Sequence, residues 1–238
     1  SGGQIGDKGS LYNDKFVLSY QDNEMGNDRL CSISMQINMH EMLLSLLEEN
    51  NHVVIFLKPK RRHVLEKMIE MVPRINDYIK TGRIVAFIGD TWRTKEVPAM
   101  VGMASDLVVG LGISTAAAEC YFSGTLAFHA DLTGFPNNEF GKKGLGKVVF
   151  RDIKSLKYAI QDCIDNDVSE KYKEAKEIYH MLDPFQDGQA YKRVGFVLRN
   201  LQELFSQGHN REEASKIVKD RYKDYVQSTA RLNEKINA

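Results

Sequence analysis

The sequence has few cysteines, no excess of one charge and no long apolar segment, and each absence narrows the class of protein. Cys31, Cys120 and Cys163 lie far apart without the paired spacing of a metal site, so we expect reduced thiols in a cytoplasmic protein. Lys and Arg together number 32, as do Asp and Glu, which argues against a general nucleic-acid-binding protein. No signal-peptide pattern and no apolar run of about 18 residues occurs, so we expect any association with the inner face of a membrane to be peripheral.

Strand and helix patterns alternate along residues 13–167, which we predict to be one domain. Strands are expected at residues 16–20, 52–57, 83–88, 106–110, 125–130 and 147–150, and helices at 35–49, 62–80, 95–104, 114–123 and 155–166. Such alternation predicts an α/β, Rossmann-like domain of three layers, with a parallel sheet of about six strands between helices. Ligands of such sheets bind outside the carboxyl ends of the strands, which makes the loops there the candidate site.

The two ends of the chain are expected to lie outside this domain. Residues 1–12 are rich in glycine and polar residues, and we predict a flexible linker or a cloning remnant. Residues 168–238 are predicted to be a C-terminal helical extension, with helices at 169–181, 188–207 and 211–236. The last helix is long and charged, which fits either a solvated amphipathic helix or one that docks on a partner.

The most informative segment runs from residue 106 to residue 131. A buried strand ends in Gly110-Leu111-Gly112, and Ser114 and Thr115 follow where a helix of small residues begins. The first turn of a helix has free N–H groups and a partial positive charge, so we predict that it binds phosphate. The alternative is that Ser114 only caps a core helix.

Glu119 lies one helical turn beyond Thr115, on the same face of the predicted helix. A carboxylate there is badly placed for phosphate but can accept hydrogen bonds from two vicinal hydroxyls, such as those of a ribose. The alternative is a surface residue that forms a salt bridge.

These residues resemble a known family. The segment Glu119-Cys-Tyr-Phe-Ser-Gly124 is similar to the Glu-Ala-x-x-x-Gly segment in the C-terminal, donor-binding domain of GT-B glycosyltransferases, with Cys120 in place of the alanine. The resemblance implies that Glu119 holds the ribose of the donor nucleotide. The Ser114-Thr115 pair is similar to the pair that holds the donor phosphate in bacterial sialyl- and Kdo-transferases.

Two further segments extend the resemblance. Phe56-Leu-Lys-Pro-Lys60 resembles the Lys-x-His-Pro region of those transferases, although Lys58-Pro59 replaces the His-Pro pair. Lys58 and Lys60 could neutralise a phosphate leaving group, or they could belong to a solvated basic turn. The segment from Asp183 to Ala190, followed by Arg193, resembles a Asp-Pro-Phe-x-Asp-Gly-x-Ala segment of bacterial capsule and surface-carbohydrate proteins; locally, helix capping by Asp187 explains it.

Two loops are candidates for the rest of the donor. Asp90 and Trp92 follow the third predicted strand, where backbone groups of residues 87–90 could read the base and the Trp92 ring could contact it. The glycine-rich residues 134–146 could cover the donor sugar or be a plain connector. The predicted site for the nucleotide-sugar donor therefore comprises Lys58, Lys60, Asp90, Gly112, Ser114, Thr115 and Glu119.

The resemblance implies a metal-independent glycosyltransferase without a cofactor, which uses a nucleotide sugar and a glycan or lipid-linked acceptor in making bacterial surface or capsular polysaccharide. GT-B enzymes react between two Rossmann-like domains, whereas this sequence predicts one. We therefore expect an N-terminal acceptor domain or a partner subunit to complete the enzyme. The alternatives are a nucleotide-sugar 2-epimerase or polyol-phosphate transferase on the same scaffold, and a non-catalytic assembly subunit.

Overall fold

A single parallel sheet forms the centre of the fold. The computed structural model of the chain describes residues 14–21, 32–87, 96–133 and 139–236. Its strands are β1 (Phe16–Gln21), β2 (Val53–Lys58), β3 (Ile84–Ala86), β4 (Leu107–Leu111), β5 (Leu126–Ala130) and β6 (Val149–Phe150). They pair in the order β3-β2-β1-β4-β5-β6, and every pairing is parallel. The structure thus confirms the predicted six-stranded, Rossmann-like α/β fold.

Helices connect the strands and then continue to the end of the described chain. They are α1 (Ile33–Glu49), α2 (Arg62–Met71), α3 (Arg74–Lys80), α4 (Pro98–Met103), α5 (Thr115–Phe122), α6 (Glu139–Lys143), α7 (Ile153–Asp165), α8 (Ser169–Tyr179), α9 (Ala190–Ser206) and α10 (Arg211–Ile236). The prediction of one helix over residues 62–80 was wrong. Pro73 divides it into α2 and α3, because proline has no N–H to continue the hydrogen bonds of the first helix.

Both faces of the sheet are covered, as strand β2 shows. Val54 and Phe56 pack with Val101 of α4 in one apolar cluster. Ile55 and Leu57 alternate with them and belong to the larger core, which includes α1. Burial on both faces explains why this strand is a continuous apolar run in the sequence.

Contacts divide the chain into a first unit, Ser1–Asp183, and a second unit, Pro184–Ala238. Helix α8 belongs to the first unit, where its Tyr172 and Tyr179 stack on either side of Tyr121 of α5. The hydroxyl of Tyr121 donates to the carbonyl of Tyr172, and the hydroxyl of Tyr172 donates to the carbonyl of Tyr121, each at 3.2 Å. Helix α8 is therefore part of the packed sheet unit.

The second unit consists of α9 and α10 packed on each other. Leu204 of α9 is buried with Ala214 and Val218 of α10, and the rings of Phe196 and Tyr225 stack with centroids 4.3 Å apart. Across the described ranges of both units, no helix is long and apolar enough to span a membrane.

Candidate functional site

The candidate site lies at the carboxyl ends of the central strands. Strand β1 lies between β2 and β4, which places Gln21 in register with both Lys58 and Gly110. The chain adds β2 and β3 on one side of β1 and β4 to β6 on the other, so the loops after β1 and β4 diverge here. In open parallel sheets, such a switch in strand order leaves the crevice in which ligands bind.

Two glycines shape the turn from β4 into α5. Gly112 has a φ of 75°, which a residue with a side chain rarely adopts. A Cβ at Gly110 would lie only 2.9 Å from the Cβ of Ala117, so a larger residue would push α5 away from the strand. These glycines explain why the helix can begin directly above the end of β4.

The start of α5 leaves two amides available. The side chain of Ser114 caps the helix and accepts a hydrogen bond of 3.3 Å from the N–H of Ala117. The N–H of Ser114 itself donates to His129 at 3.2 Å. In the described part of the chain, the N–H groups of Thr115 and Ala116 have no acceptor, and Thr115 is exposed. Two free N–H groups with the partial charge of a helix start can bind an anion.

His129 is the main residue of this region that the sequence did not predict. It lies near the end of β5, is 0% exposed, and contacts Tyr179 of α8 through its Nε2, 3.0 Å from the tyrosine hydroxyl. The hydroxyl of Tyr179 donates in turn to the carbonyl of Ala127 at 2.8 Å. The one signal in the sequence was a lone polar residue within the apolar strand 126–130.

His129 is neutral at physiological pH. Burial lowers its pKa to about 4, against opposing effects of the Gly112 backbone and of the carboxylate of Asp131. The side chain therefore acts in the site as a neutral hydrogen-bonding group and not as a cation.

Lys58 and Lys60 follow β2 and differ in their surroundings. Lys58 is 6% exposed and its ammonium group donates to the carbonyl of Pro59 at 3.3 Å. Burial lowers the pKa of Lys58, and the charge of Glu96 opposes that effect. Lys60 is exposed. Strand β1 lies between Lys58 and Gly110, so their backbones are two strand spacings apart, roughly 10 Å. Lys58 and the start of α5 therefore lie at the same end of the sheet.

Glu119 lies one turn along α5 from Thr115, and its side chain is exposed to solvent. In the parts of the chain that the structure describes, its carboxylate has no hydrogen-bonding partner. It is therefore available to a ligand bound at the start of the helix.

An acidic residue also lies at the carboxyl ends of the strands. Asp131, directly after β5, is buried and accepts a hydrogen bond of 2.8 Å from the hydroxyl of Thr133. Its other carboxylate oxygen lies 3.7 Å from Nε of Arg151, which follows β6. The sequence did not single out this pair. In residues 14–21, 32–87, 96–133 and 139–236, no cluster of His, Cys, Asp or Glu could hold a metal ion.

The structure brings Gly112, Ser114, Thr115 and Glu119 together on one turn and helix, and it places Lys58 and Lys60 at the same edge of the sheet. Asp90 and Trp92 lie outside the described residues. In the loop 134–146, residues 139–143 form the short helix α6, which the sequence did not predict, and residues 134–138 are outside the described ranges.

The segment that begins at Asp183 forms a closed turn before α9. Asp187 accepts a hydrogen bond of 2.8 Å from the N–H of Gln189 and pairs through both carboxylate oxygens with Arg193. The Arg193 guanidinium lies 3.9 Å from the centre of the Phe185 ring. These contacts lie within the second unit and give the segment a structural role at the start of the helix.

No protein-family model and no characterised relative matches the sequence. The fold is similar to that of a Listeria monocytogenes structure assigned as a UDP-N-acetylglucosamine 2-epimerase, with a TM-score of 0.52 and 13% identity over 84% of this chain and 47% of the other. It is also similar to the N-terminal domain of trehalose-6-phosphate phosphatase from Candida albicans, with a TM-score of 0.50 and 16% identity over 71% and 38% of the two chains.

A third structure, the C-terminal CMP-Kdo-binding domain of WaaA from Acinetobacter baumannii, gives a TM-score of 0.49 and 9% identity over 72% of this chain and 90% of that domain. At such identities the similarities to the Listeria and Candida structures show the fold alone. The chain spans 47% of the length of the Listeria structure and 38% of that of the Candida structure.

Proposed function

We propose that the chain binds a nucleotide sugar at the carboxyl edge of its sheet and is the donor-binding half of a GT-B glycosyltransferase. One observation carries the proposal: the free N–H groups of Thr115 and Ala116 lie at the switch in strand order, where Gly110 and Gly112 allow a ligand to approach the backbone. A phosphate is the ligand that such a helix start favours.

The surrounding side chains suit the remaining groups of a nucleotide sugar. When the bond between the sugar carbon and the phosphate oxygen breaks, negative charge grows on the leaving phosphate. The start of α5 would stabilise that charge, with Lys58 and Lys60 from the neighbouring end of β2. Glu119 would accept hydrogen bonds from the ribose hydroxyls, and Asp90 lies in the segment after β3 that we assign to the base. The reaction proposed needs no metal ion and no cofactor.

The fold similarities support the ligand class and the need for a second half. One similar structure is assigned to an enzyme of UDP-N-acetylglucosamine, and this chain spans 47% of it. We therefore assign the acceptor side to an N-terminal domain or a partner subunit, and we propose as acceptor a glycan or lipid-linked glycan of a bacterial surface or capsular polysaccharide. The site would work in the cytoplasm, with any membrane contact peripheral.

The same similarity favours a second candidate, a nucleotide-sugar 2-epimerase. The two functions share the donor site and differ in the other half of the enzyme. Incubation of the completed enzyme with UDP-N-acetylhexosamine distinguishes them, because an epimerase converts the sugar without an acceptor and a transferase does not.

Calorimetric titration of the chain with CMP, UDP, GDP and CDP tests the binding proposal. We expect at least one of the four to bind, and we expect Glu119→Ala to weaken that binding by roughly 1.5–3 kcal/mol, since a charged acceptor is lost. Glu70→Ala, at an exposed glutamate of α2, is the matched control and should bind as the unmodified chain does. Absence of binding by all four nucleotides would refute the proposal, and an unchanged affinity for Glu119→Ala would remove that residue from the site.

A further inference from the structure

His129 is a polar side chain in the fully buried strand β5, where an apolar residue would be enough to fill the core. It is the polar side chain through which β5 reaches the start of α5, with Nδ1 accepting from the N–H of Ser114. The hydroxyl of Tyr179 lies on the opposite side of the ring, 3.0 Å from Nε2. A fully buried imidazole thus joins helix α8 to the Ser114 amide, which directly precedes the two free amides of the proposed site.

The hydrogen bonds to Ser114, Tyr179 and Ala127 favour one position for the ring proton. Because Nδ1 accepts from Ser114, the neutral ring carries its proton on Nε2 and donates it to the Tyr179 oxygen. The hydroxyl proton of Tyr179 goes to the carbonyl of Ala127, at 2.8 Å. This tautomer satisfies the hydrogen bonds of Ser114, Tyr179 and Ala127 together.

Building on the proposed nucleotide site, we propose that His129 is a positioning residue, which holds the Ser114 amide so that the N–H groups of Thr115 and Ala116 point together at the phosphate. The histidine does not touch the ligand in this scheme. Because His129 accepts the N–H of Ser114, the first turn of α5 is held in a helical conformation. The amides of Thr115 and Ala116 then lie side by side at the carboxyl ends of the strands. Tyr179 keeps the imidazole in the tautomer that can accept.

The hydrogen bond from Ser114 to His129 depends on Nδ1 being unprotonated. The ionisable groups near it are Tyr179 from α8 and Asp131 at the end of β5, with Tyr121 and Cys120 of α5 beyond Tyr179. From α6, Phe140 contributes an apolar ring edge-on to the imidazole. An imidazolium would place an N–H of its own against the N–H of Ser114, and this hydrogen bond would be lost.

Three substitutions of His129 distinguish the effect of losing the hydrogen-bond acceptor from the effect of changing the side-chain volume. His129→Asn keeps an oxygen that can take the place of Nδ1, whereas His129→Leu fills the space without an acceptor. His129→Gln keeps an amide that reaches toward the Nε2 position instead, and it serves if the leucine variant does not fold. Circular dichroism and thermal unfolding of each variant establish that the sheet unit is intact.

The decisive comparison uses whichever of CMP, UDP, GDP and CDP the unmodified chain binds, measured beside the matching nucleoside. We expect the ratio of nucleotide affinity to nucleoside affinity to fall roughly tenfold in His129→Leu and His129→Gln. In His129→Asn this ratio should be close to that of the unmodified protein. Nucleoside affinity should be the same in all of them, because the base and ribose contacts are elsewhere. Equal loss for nucleotide and nucleoside would indicate general damage and overturn the positioning role.

A second measurement on the ligand-free protein separates this inference from the proposed function. In the unmodified chain and in His129→Asn, hydrogen exchange of the Ser114 amide should be slow, and it should be faster in His129→Leu. Nitrogen NMR of the imidazole should show a protonated Nε2 and an unprotonated Nδ1. If the unmodified chain binds none of CMP, UDP, GDP and CDP, the proposed function fails; if it binds one of them and His129→Leu keeps the full preference for that nucleotide over its nucleoside, only the positioning role fails.

Discussion

Tyr121 of α5 and Tyr179 of α8 stack face to face, with ring centroids 3.7 Å apart and planes 7° apart. Tyr179 is completely buried, and its hydroxyl reaches the backbone of β5. One helix that follows the last strand therefore supplies a side chain to the core next to the candidate site. We therefore expect the candidate site to depend on a part of the chain that its own sequence motifs do not include.

Truncation tests this dependence. A chain that ends at Asp183 retains Tyr172 and Tyr179, whereas a chain that ends at Asp167 exposes Tyr121 and removes the Tyr179 hydroxyl from His129. We expect the shorter chain to be several kcal/mol less stable than the longer one, since two aromatic residues leave the core. Urea unfolding followed by circular dichroism measures the difference. Equal stability of the two would show that α8 is dispensable to the sheet unit.

Stability should fall as the pH falls, because of His129. Its pKa is about 4 in the folded chain, below the ordinary value of 6.5, so the unfolded chain binds more protons between these pH values. The stabilisation is complete above pH 6.5 and is lost as the pH falls toward 4. Between pH 7 and pH 5 the free energy of unfolding should drop by about 2 kcal/mol through this residue.

The matched protein for this measurement is His129→Asn, which does not titrate at that position. Burial also lowers the pKa of His40, which contributes to the pH dependence in both proteins alike and cancels in the comparison. Urea unfolding of both proteins at pH 5 and pH 7 gives the difference. Parallel pH profiles would mean that His129 is not held neutral by the fold.

Two of the three thiols should be unreactive in the folded protein. Cys120 and Cys163 are free and buried, and burial raises the pKa of each to about 12. Only about one in ten thousand of either thiol is then ionised at pH 8, and the thiolate is the reactive form. In a Cys31→Ser variant, a thiol reagent should label two groups rapidly after denaturation and neither before it. Rapid labelling of the folded variant would contradict the burial of these residues.

Lys58 should matter more to nucleotide affinity than an exposed lysine does. Its side chain is buried at the end of β2, so its charge is poorly screened by water. We expect Lys58→Gln to weaken UDP or CMP binding roughly tenfold or more, since a hydrogen bond to a charged group is lost. Lys67→Gln, at an exposed position of α2, is the control. Calorimetry with equal affinities for the two variants would exclude Lys58 from the site.

The elements that the sequence predicted well are those with a strong local signal. Strand β2 is a continuous apolar run, and the start of α5 is marked by two glycines and a serine cap, so both were predictable from neighbouring residues. The break at Pro73 also had a local signal, because proline ends a helix, but the apolar spacing on either side of it favoured one helix.

The parts that were not predicted depend on residues far apart in the chain. The hydrogen bond between Ser114 and His129 spans 15 positions, and that between His129 and Tyr179 spans 50. Neither spacing has a local pattern, since each pair meets only after strands and helices pack. For the same reason the sequence could predict that α5 begins with free amides, but not which of them remain free.

The central claim is that the start of α5 binds the phosphate of a nucleotide, and an amide NMR titration of the chain with CMP, UDP, GDP and CDP tests it most directly. With at least one of them, we predict that the amide signals of Thr115 and Ala116 shift most among those of the described residues, while Gly82 and Gly124, which precede β3 and β5 at the opposite edge of the sheet, stay in place. Saturable shifts centred on Gly82 or Gly124, with Thr115 and Ala116 unmoved, would contradict the account.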